Sequence, residues 1–138
     1  MIRIAKYKDI LPLSIMLHNM YKELYGDEAK EYLQLYTDEI IKCMADDKQT
    51  ILVDEEYRGF FIVMDISEPM IVNKRYQGTR VYIRPGFRKT RLLKEFYDEL
   101  FYRFDGDIFG QTEAGSEHIK VLDKRHDLIA KVYKLKRR

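Results

Sequence analysis

The residues best suited to chemistry lie together in one short segment, residues 81–93. This segment reads as a strand, a sharp turn and the start of a helix, and the turn carries three cations, Arg88, Lys89 and Arg91. The N–H groups at the start of a helix are free and carry a partial positive charge. Together with the three cationic side chains, they predict a binding site for phosphate.

Residue types on both sides of these cations predict the elements that position them. Val81, Tyr82 and Ile83 are β-branched or aromatic and favour a strand. Pro85 cannot continue a strand ladder, and the Thr90 hydroxyl can cap a helix that follows. Apolar residues then recur at steps of three and four, which predicts a helix with one buried face: Leu92, Leu93, Phe96, Leu100, Phe101 and Phe104.

Two helices are predicted near the start of the chain, after a short strand. Ile2 and Ile4 alternate with polar residues, which indicates the strand. Asp9 is expected to cap the first helix, Gly26 to end it, and the second helix to cover residues 29–45. Their apolar stripes are Leu13, Met16, Leu17, Met20, Tyr21 and Leu24 in the first, and Leu33, Tyr36, Ile40, Ile41 and Met44 in the second.

A hairpin and a long strand are predicted in the middle of the chain. Residues 50–53 and 59–64 read as the two strands of the hairpin. Residues 65–74 form a loop that offers a short strand at 70–72, and residues 75–83 form the central strand. These strands would place the phosphate-binding turn at the end of the central strand.

The last part of the chain completes an α/β pattern. A strand is expected at residues 107–112, a short helix after Ser116, and a final strand at 128–135. The order β-α-α-β-β-β-α-β-α-β predicts a mixed sheet with helices on both faces, of the α/β class. At this length we expect a single domain spanning residues 1–138.

Composition and charge narrow the possible ligands. Hydrophobic residues make up 46% of the chain and charged residues of mixed sign 35%, which indicates a folded protein. The longest apolar runs are too short to cross a membrane, so no membrane partner is expected. Residues 1–69 carry a net charge of −6 and residues 70–138 a net charge of +8. A basic second half suits an anionic ligand, and it suits nucleic acid equally well.

The single cysteine and the three histidines point to no metal and no disulfide. Cys43 lies in a helical pattern and is interpreted as a core residue, and one cysteine fits a reducing, cytoplasmic location. His18, His118 and His126 lack the spacing of a metal site. We therefore expect no metal centre.

The strand, the Pro85 turn and the following helix resemble the acyl-coenzyme A site of the GNAT-type N-acetyltransferases. In that family the turn reads Arg or Gln, two variable residues, Gly, one variable residue, then Gly or Ala, and Arg88 takes the first position. Arg91 and Leu93 stand where the family has small residues, so the motif is half kept. The element order matches over nearly the whole chain, and the chain looks most like the compact variants encoded by tailed phages.

The resemblance implies acetyl-CoA as the substrate that supplies an acetyl group and a splayed sheet that holds it. It implies that coenzyme A lies between the central strand and the next one, and that a backbone N–H of Tyr82 or Ile83 supports the acetyl oxygen during catalysis. The residues that match the family's coenzyme-binding positions are Tyr82, Ile83, Arg84, Arg88, Lys89, Thr90, Arg91, Leu92 and Leu93.

The proton-transfer groups that this family uses are poorly matched. The central strand has no carboxylate, and Glu113 is the nearest candidate base, with His118 as a second candidate. A solvated loop residue is the plainer interpretation of both. No tyrosine occupies the position of the family's thiol acid. In the family the first two helices border the acceptor groove, and we interpret their tyrosines as the edge of the core: Tyr21, Tyr25, Tyr32 and Tyr36.

Three functions remain open from the sequence. The first is an N-acetyltransferase that acts on an amine of unknown identity. The second keeps the fold without catalysis and binds a ligand or a protein. The third, which we favour less, binds nucleic acid through the arginines of the turn and the nearby aromatic residues. The sequence leaves the acceptor and the oligomeric state open.

Overall fold

The computed structural model describes residues 1–110, and the expectations for Glu113, His118, the short helix after Ser116 and the strand at 128–135 lie outside them. The strands are β1 (Ile2–Ile4), β2 (Gln49–Asp54), β3 (Gly59–Asp65), β4 (Arg75–Ile83) and β5 (Asp107–Gly110). The helices are α1 (Ile10–Tyr25), α2 (Leu33–Ala45) and α3 (Leu92–Arg103). Short 3₁₀ turns precede α1, follow it and precede α3.

The five strands form one mixed sheet in the order β1-β2-β3-β4-β5. The first four strands run antiparallel to their neighbours, whereas β5 runs parallel to β4 because α3 carries the chain back between them. The expected α/β class with a mixed sheet is therefore confirmed. No helix among these residues is long and apolar enough to cross a membrane.

Helices cover both faces of the sheet, as expected. The α1 and α2 side buries Leu13, Met16, Leu17, Met20, Tyr36, Ile40 and Cys43 against Ile51, Val53, Phe60, Ile62 and Tyr82. The α3 side buries Leu92, Phe96 and Leu100 against Ile2, Leu52, Phe61, Val63, Tyr76 and Ile83. Because neighbouring residues of a strand point to opposite faces, β2 and β3 supply both cores and are buried along most of their length.

A bulge interrupts β4 near its middle. Ile62 lies opposite Arg80, whereas the next residue, Val63, lies opposite Gly78, so Thr79 is an extra residue in β4. A bulge shifts the alternation of the strand by one residue. Within the described residues, β5 pairs with Arg75 to Gly78 of β4, the part of the strand before the bulge.

The helix boundaries differ from the sequence predictions in two places. Gly26 ends α1 as predicted, with a φ of +58° that glycine adopts easily, but α2 begins at Leu33 because a 3₁₀ turn and an extended stretch come first. Asp9 does not cap α1 with its side chain. Its carboxylate instead accepts the Lys6 N–H and binds Arg3.

Some predicted core positions are exposed. Leu24 of α1, Ile41 of α2 and Phe101 of α3 lie on the solvent side, and Phe101 is 69% exposed. Residues 70–72 form no strand, and the side chains of Met70 and Val72 are fully open to solvent. For Leu24, Ile41 and Phe101, apolar spacing predicted a place in the buried stripe of the helix. The rotation of each helix about its axis, which spacing alone does not fix, turns these side chains toward solvent.

Candidate active site at the end of β4

After the bulge, the edge of β4 that faces away from β3 has no pairing partner among residues 1–110, and we call it the open edge. The Arg84 N–H donates to the Arg58 carbonyl oxygen at 2.8 Å. Because main-chain groups alternate along an antiparallel pair, Tyr82 also turns its N–H toward β3, while Ile83 turns its N–H and carbonyl toward the opposite edge. No described residue of β5 pairs with Ile83. Of the two donors expected from the sequence, Ile83 is thus the one at the open edge.

The turn after β4 presents further N–H groups. The chain passes through a 3₁₀ turn and enters α3 at Leu92. The Thr90 hydroxyl accepts the Leu92 N–H at 3.3 Å and donates to the Phe87 carbonyl at 2.6 Å. The N–H groups of Leu93 and Lys94 are in the first helical turn and lack an acceptor within the helix. They are available to an anion.

The two bulky residues that depart from the family motif leave this turn open. Leu93 packs against the core on the α3 side, so its side chain is directed inward rather than across the turn. Arg91 and Lys89 are exposed, and neither bonds to another side chain in the described part of the chain. Two unengaged cations beside free N–H groups fit a pyrophosphate.

Arg88, which takes the family's first motif position, is already engaged by the protein. Its Nε donates to the Ile83 carbonyl oxygen at 2.8 Å, and its Nη2 binds the Glu23 carboxylate of α1. The guanidinium also lies over the Tyr82 ring, 5.7 Å from its centre. Arg88 therefore links the end of β4 to α1.

Glu23 is the site residue that sequence reasoning missed. The Tyr82 hydroxyl donates to Glu23 Oε1 at 3.3 Å, so this one carboxylate receives both Tyr82 and Arg88. Burial, reinforced by the Glu23 charge, raises the pKa of Tyr82 above its ordinary value. The two contacts span 59 and 65 residues, and no local pattern in the sequence signals them.

Arg84 contributes to the fold at this position. Its Nε donates to the Tyr57 carbonyl at 2.6 Å and its N–H to the Arg58 carbonyl, so it ties the end of β4 to the β2–β3 hairpin. This contact keeps the strand end, with Ile83, in place. A direct role of Arg84 toward coenzyme A stays a prediction.

Two adjoining clefts open on the α1 and α2 side of β4. Their volumes are about 380 and 430 Å³, and both are bordered by Tyr21, Tyr25, Glu39 and Arg80. Volumes of this order are typical of sites for small ligands. The family resemblance implies an acceptor groove beside the same two helices, and that role of the clefts stays a prediction.

Arg80 forms the base of both clefts. Its Nη1 donates to Glu39 Oε1 at 3.0 Å, and its Nη2 donates to the Tyr21 hydroxyl at 3.3 Å. Burial alone would lower the pKa of Arg80, but the contacts with Tyr21 and Glu39 outweigh it and raise the pKa. The neighbouring Cys43 is buried, and burial raises the pKa of its thiol, which confirms its interpretation as a core residue.

Three of the four tyrosines of this region border the cleft. Tyr36 is buried, donates its hydroxyl to the Lys30 carbonyl at 2.6 Å and stacks on His18. Tyr21 and Tyr25 stack with their ring centres 5.7 Å apart. Tyr32 lies outside, 74% exposed. The interpretation as core edge holds for Tyr21 and Tyr36, which pack in or against the core, and not for the exposed Tyr25 and Tyr32. Tyr21, Tyr25 and Tyr36 line the first of the two clefts.

No metal site is apparent in residues 1–110, since they contain no group of three His, Cys, Asp or Glu side chains that could hold an ion. The arrangement described above is one of main-chain donors and cations. Groups of this kind can bind an anion, and a main-chain N–H beside them can polarise a carbonyl.

Several solved structures share this fold over almost the whole chain. A possible acetyltransferase from Clostridium difficile 630 gives a TM-score of 0.80 at 13% identity, covering 99% of this chain and 96% of the other. Ribosomal-protein-alanine N-acetyltransferase from Brucella melitensis biovar Abortus 2308 gives 0.75 at 15%, with coverages of 99% and 96%. AAC(6')-Iy, in complex with the bisubstrate analog CoA-S-monomethyl-acetylneamine, gives 0.75 at 11%, with coverages of 100% and 97%.

Sequence comparisons add nothing to these structural ones. No protein-family model matches the chain, and no curated protein matches it. At the identities quoted above the likeness shows the fold, and the chemistry has to be argued from the residues of this chain.

Proposed function

We propose that this chain, which has the fold of the GNAT-type N-acetyltransferases, transfers an acetyl group from acetyl-CoA to an amine. The observation that carries the proposal is the end of β4. There the Ile83 N–H lies on an edge that no residue of 1–110 pairs with, next to a helix start with free N–H groups and two cations, Lys89 and Arg91, that bond to no side chain within the same residues.

The turn after β4 would bind the coenzyme. The N–H groups of Leu93 and Lys94, with Lys89 and Arg91, would hold the pyrophosphate of the coenzyme, and Thr90 keeps the helix start in position. Charge-assisted hydrogen bonds to phosphate are stronger than neutral ones. Acetyl-CoA supplies an activated acetyl thioester: the amine nitrogen would bond to the acetyl carbon, the carbon–sulfur bond would break, and coenzyme A would leave as the thiol with a proton lost by the amine.

The edge of β4 would provide the N–H group that takes part in catalysis. The Ile83 N–H would donate to the acetyl carbonyl oxygen as negative charge develops there, and one such donor contributes about 3 kcal/mol. A main-chain donor does not depend on which side chain the position carries. Glu113 remains the candidate base from the sequence, and the amine would enter through the cleft beside Arg80.

A nucleic-acid-binding protein is the second candidate. It is supported by the exposed Lys89 and Arg91 and by the excess of cations in residues 70–138. Binding to a polynucleotide would weaken steeply with salt, because several counterions are released at once.

Calorimetric and thermal-shift titrations distinguish these functions. Coenzyme A, acetyl-CoA and a short oligonucleotide would each be titrated at two salt concentrations. We expect both coenzyme forms to bind and to stabilise the fold by about 2.7 kcal/mol at a concentration one hundred times the dissociation constant. Absence of binding by both forms would exclude the acetyltransferase, and oligonucleotide binding alone, with a steep salt dependence, would favour the second candidate.

A further inference from the structure

Glu23 contacts the end of β4 from α1, and its α1 neighbours Tyr21, Leu24 and Tyr25 line the clefts. It belongs to the last turns of α1, which walls the cleft, and it contacts Tyr82 and Arg88 at the end of β4. The side chain remains 38% exposed, so a ligand can reach it. The contacts of this carboxylate are the basis of the inference.

One guanidinium connects Glu23 to the open edge of β4. The Nε of Arg88 donates to the Ile83 carbonyl, and the Nη2 of the same group binds Glu23. The nitrogens of a guanidinium form a rigid fork, so the Glu23 carboxylate lies only a few ångströms from the edge where the Ile83 N–H is placed. A group bound to Glu23 would therefore be within reach of that edge.

An amine that reaches this edge needs an anionic partner. An alkyl amine carries a positive charge at neutral pH, since its pKa lies near 10. The Glu39 carboxylate, which lines the clefts, already accepts a hydrogen bond from Arg80. Among the residues that the structure describes, Glu23 is the carboxylate in contact with the end of β4 on the α1 side.

Arg88 pairs with this carboxylate, and its position in the turn also makes it a candidate ligand for phosphate. The side chains of Arg88 and Glu23 are 39% and 38% exposed, so solvent weakens the attraction between them. A pyrophosphate carries more negative charge than one carboxylate and competes effectively for the guanidinium.

We propose that Glu23 binds the ammonium group of the acceptor, and that Arg88 leaves Glu23 for the phosphate of the coenzyme when the coenzyme binds. This inference rests on the proposed acetyltransferase function. It assigns a role to a residue of α1 outside the coenzyme turn, and it implies that the coenzyme binds before the amine, because only then is Glu23 free.

Carbodiimide labelling of the wild-type protein tests the exchange without knowledge of the acceptor. A water-soluble carbodiimide with ethanolamine as the amine probe converts accessible carboxylates to amides, which peptide mass spectrometry locates. We expect coenzyme A to increase labelling of Glu23 at least threefold. Glu31, which pairs with Lys22 on the same side of the fold, should change less than 1.5-fold and serves as the control site. Unchanged labelling of Glu23 on saturation with coenzyme A would overturn the proposal.

Coenzyme A affinity of matched variants tests the same exchange independently. Glu23→Gln removes the competitor for Arg88 and should tighten coenzyme A binding about two- to fivefold, the size expected for one partly exposed ion pair. Glu31→Gln removes the same charge from an exposed pair and should leave binding unchanged. In an Arg88→Ala background the effect of Glu23→Gln should disappear.

The outcomes separate this inference from the proposed function. If the wild-type protein binds no coenzyme A, the acetyltransferase itself is excluded. If it binds coenzyme A but Glu23→Gln has no effect, or has the same effect with and without Arg88, then only the role of Glu23 is overturned.

Discussion

Two clusters of charge in this protein are built from the same residue types and differ in how completely the protein satisfies them. The first, the hairpin end, consists of Arg3, Asp9, Asp54, Tyr57 and Arg58. The second, the turn end, consists of Glu23, Tyr82, Arg84, Arg88, Lys89 and Arg91. In the first each carboxylate is fully buried, and in the second Glu23 is partly exposed and two cations have no side-chain partner among the described residues.

The hairpin end saturates its carboxylates with hydrogen bonds. Asp9 receives both Nη groups of Arg3 at 2.7 and 2.9 Å, the Tyr57 hydroxyl at 2.6 Å and the Lys6 N–H at 2.7 Å. Asp54 receives Arg58 through Nε at 2.8 Å and Nη2 at 2.9 Å. No capacity remains for a ligand, so these charges serve the fold.

The turn end keeps its hydrogen-bonding capacity available. Arg88 and Glu23 meet near the surface, and Lys89 and Arg91 extend into solvent. Bonds of this kind contribute little to stability and are easily exchanged. The difference teaches that the arginines of the two clusters differ in how fully the protein uses their hydrogen bonds, which neither their number nor their spacing in the sequence distinguishes.

The largest expected effect is on the stability of the hairpin end. Asp9→Asn removes the charge from a buried carboxylate and leaves Arg3 without its main partner. Breaking a buried pair in this way costs about 3–5 kcal/mol. Urea unfolding at pH 7 measures the loss, and Glu23→Gln, at the turn end, should cost less than about 1 kcal/mol. Equal losses in the two variants would remove the distinction between the clusters.

The pH dependence of stability should follow the hairpin end. The hydrogen bonds from Arg3 hold the pKa of Asp9 well below its usual range, against the opposing effect of burial. Burial alone would raise the pKa of Asp54, but hydrogen bonds from Arg58 outweigh it, so that pKa is lowered as well. Carboxylates with lowered pKa values stabilise the fold above their unfolded pKa of about 3.9, and this contribution is lost as the pH falls through the folded values.

We therefore expect the free energy of unfolding to fall as the pH is lowered from about 5 to 2, and to fall less steeply in Asp9→Asn. Unfolding by urea at a series of pH values gives both slopes. An identical slope in the variant would mean that Asp9 does not titrate with a lowered pKa in the folded protein.

Much of the fold could be predicted from the sequence, because its signals are local. The hairpin, the central strand at 75–83 and the helix end at Gly26 depend on strand-forming residues, glycine and proline at short range. Asp9 shows where this fails. Its residue type and position predicted a helix cap, but Arg3, Tyr57 and Lys6 together offer better hydrogen bonds.

The site could be predicted only in part, for the same reason. The turn was located from Pro85 and its cations, while Glu23 depends on contacts across about 60 residues. The bulge at Thr79 shifts the alternation of β4, so that Ile83 rather than Tyr82 turns its N–H away from β3, and Gly78 in the strand interior is the sequence signal that could have indicated it.

The second-largest expected effect is a loss of affinity for coenzyme A at the turn end. Arg88→Ala should weaken coenzyme A binding about tenfold, or ~1.4 kcal/mol, because one phosphate ligand is lost. Its stability should change by less than about 1 kcal/mol, since the pair with Glu23 is partly exposed. Isothermal calorimetry and urea unfolding measure the two quantities. A stable variant with unchanged affinity would show that Arg88 belongs with the structural arginines.

The smallest effect concerns the cleft beside Arg80. Tyr36→Phe removes the hydrogen bond to the Lys30 carbonyl and should destabilise the fold by about 0.5–1.5 kcal/mol. Tyr32→Phe, at an exposed position, should stay within about 0.5 kcal/mol of the wild type. Thermal unfolding of both variants checks the difference. If they are equally stable, the buried hydroxyl of Tyr36 contributes nothing.

The central claim is that the free main-chain N–H groups of Leu93 and Lys94, at the start of α3, hold the coenzyme. Backbone ¹⁵N–¹H NMR during titration with coenzyme A tests it most directly. We predict that the amide signals of Leu93 and Lys94 shift most, with Ile83 also affected, and that Asp9 and Asp54 stay unchanged. Saturable binding that leaves the amides of Leu93 and Lys94 unmoved would contradict the account.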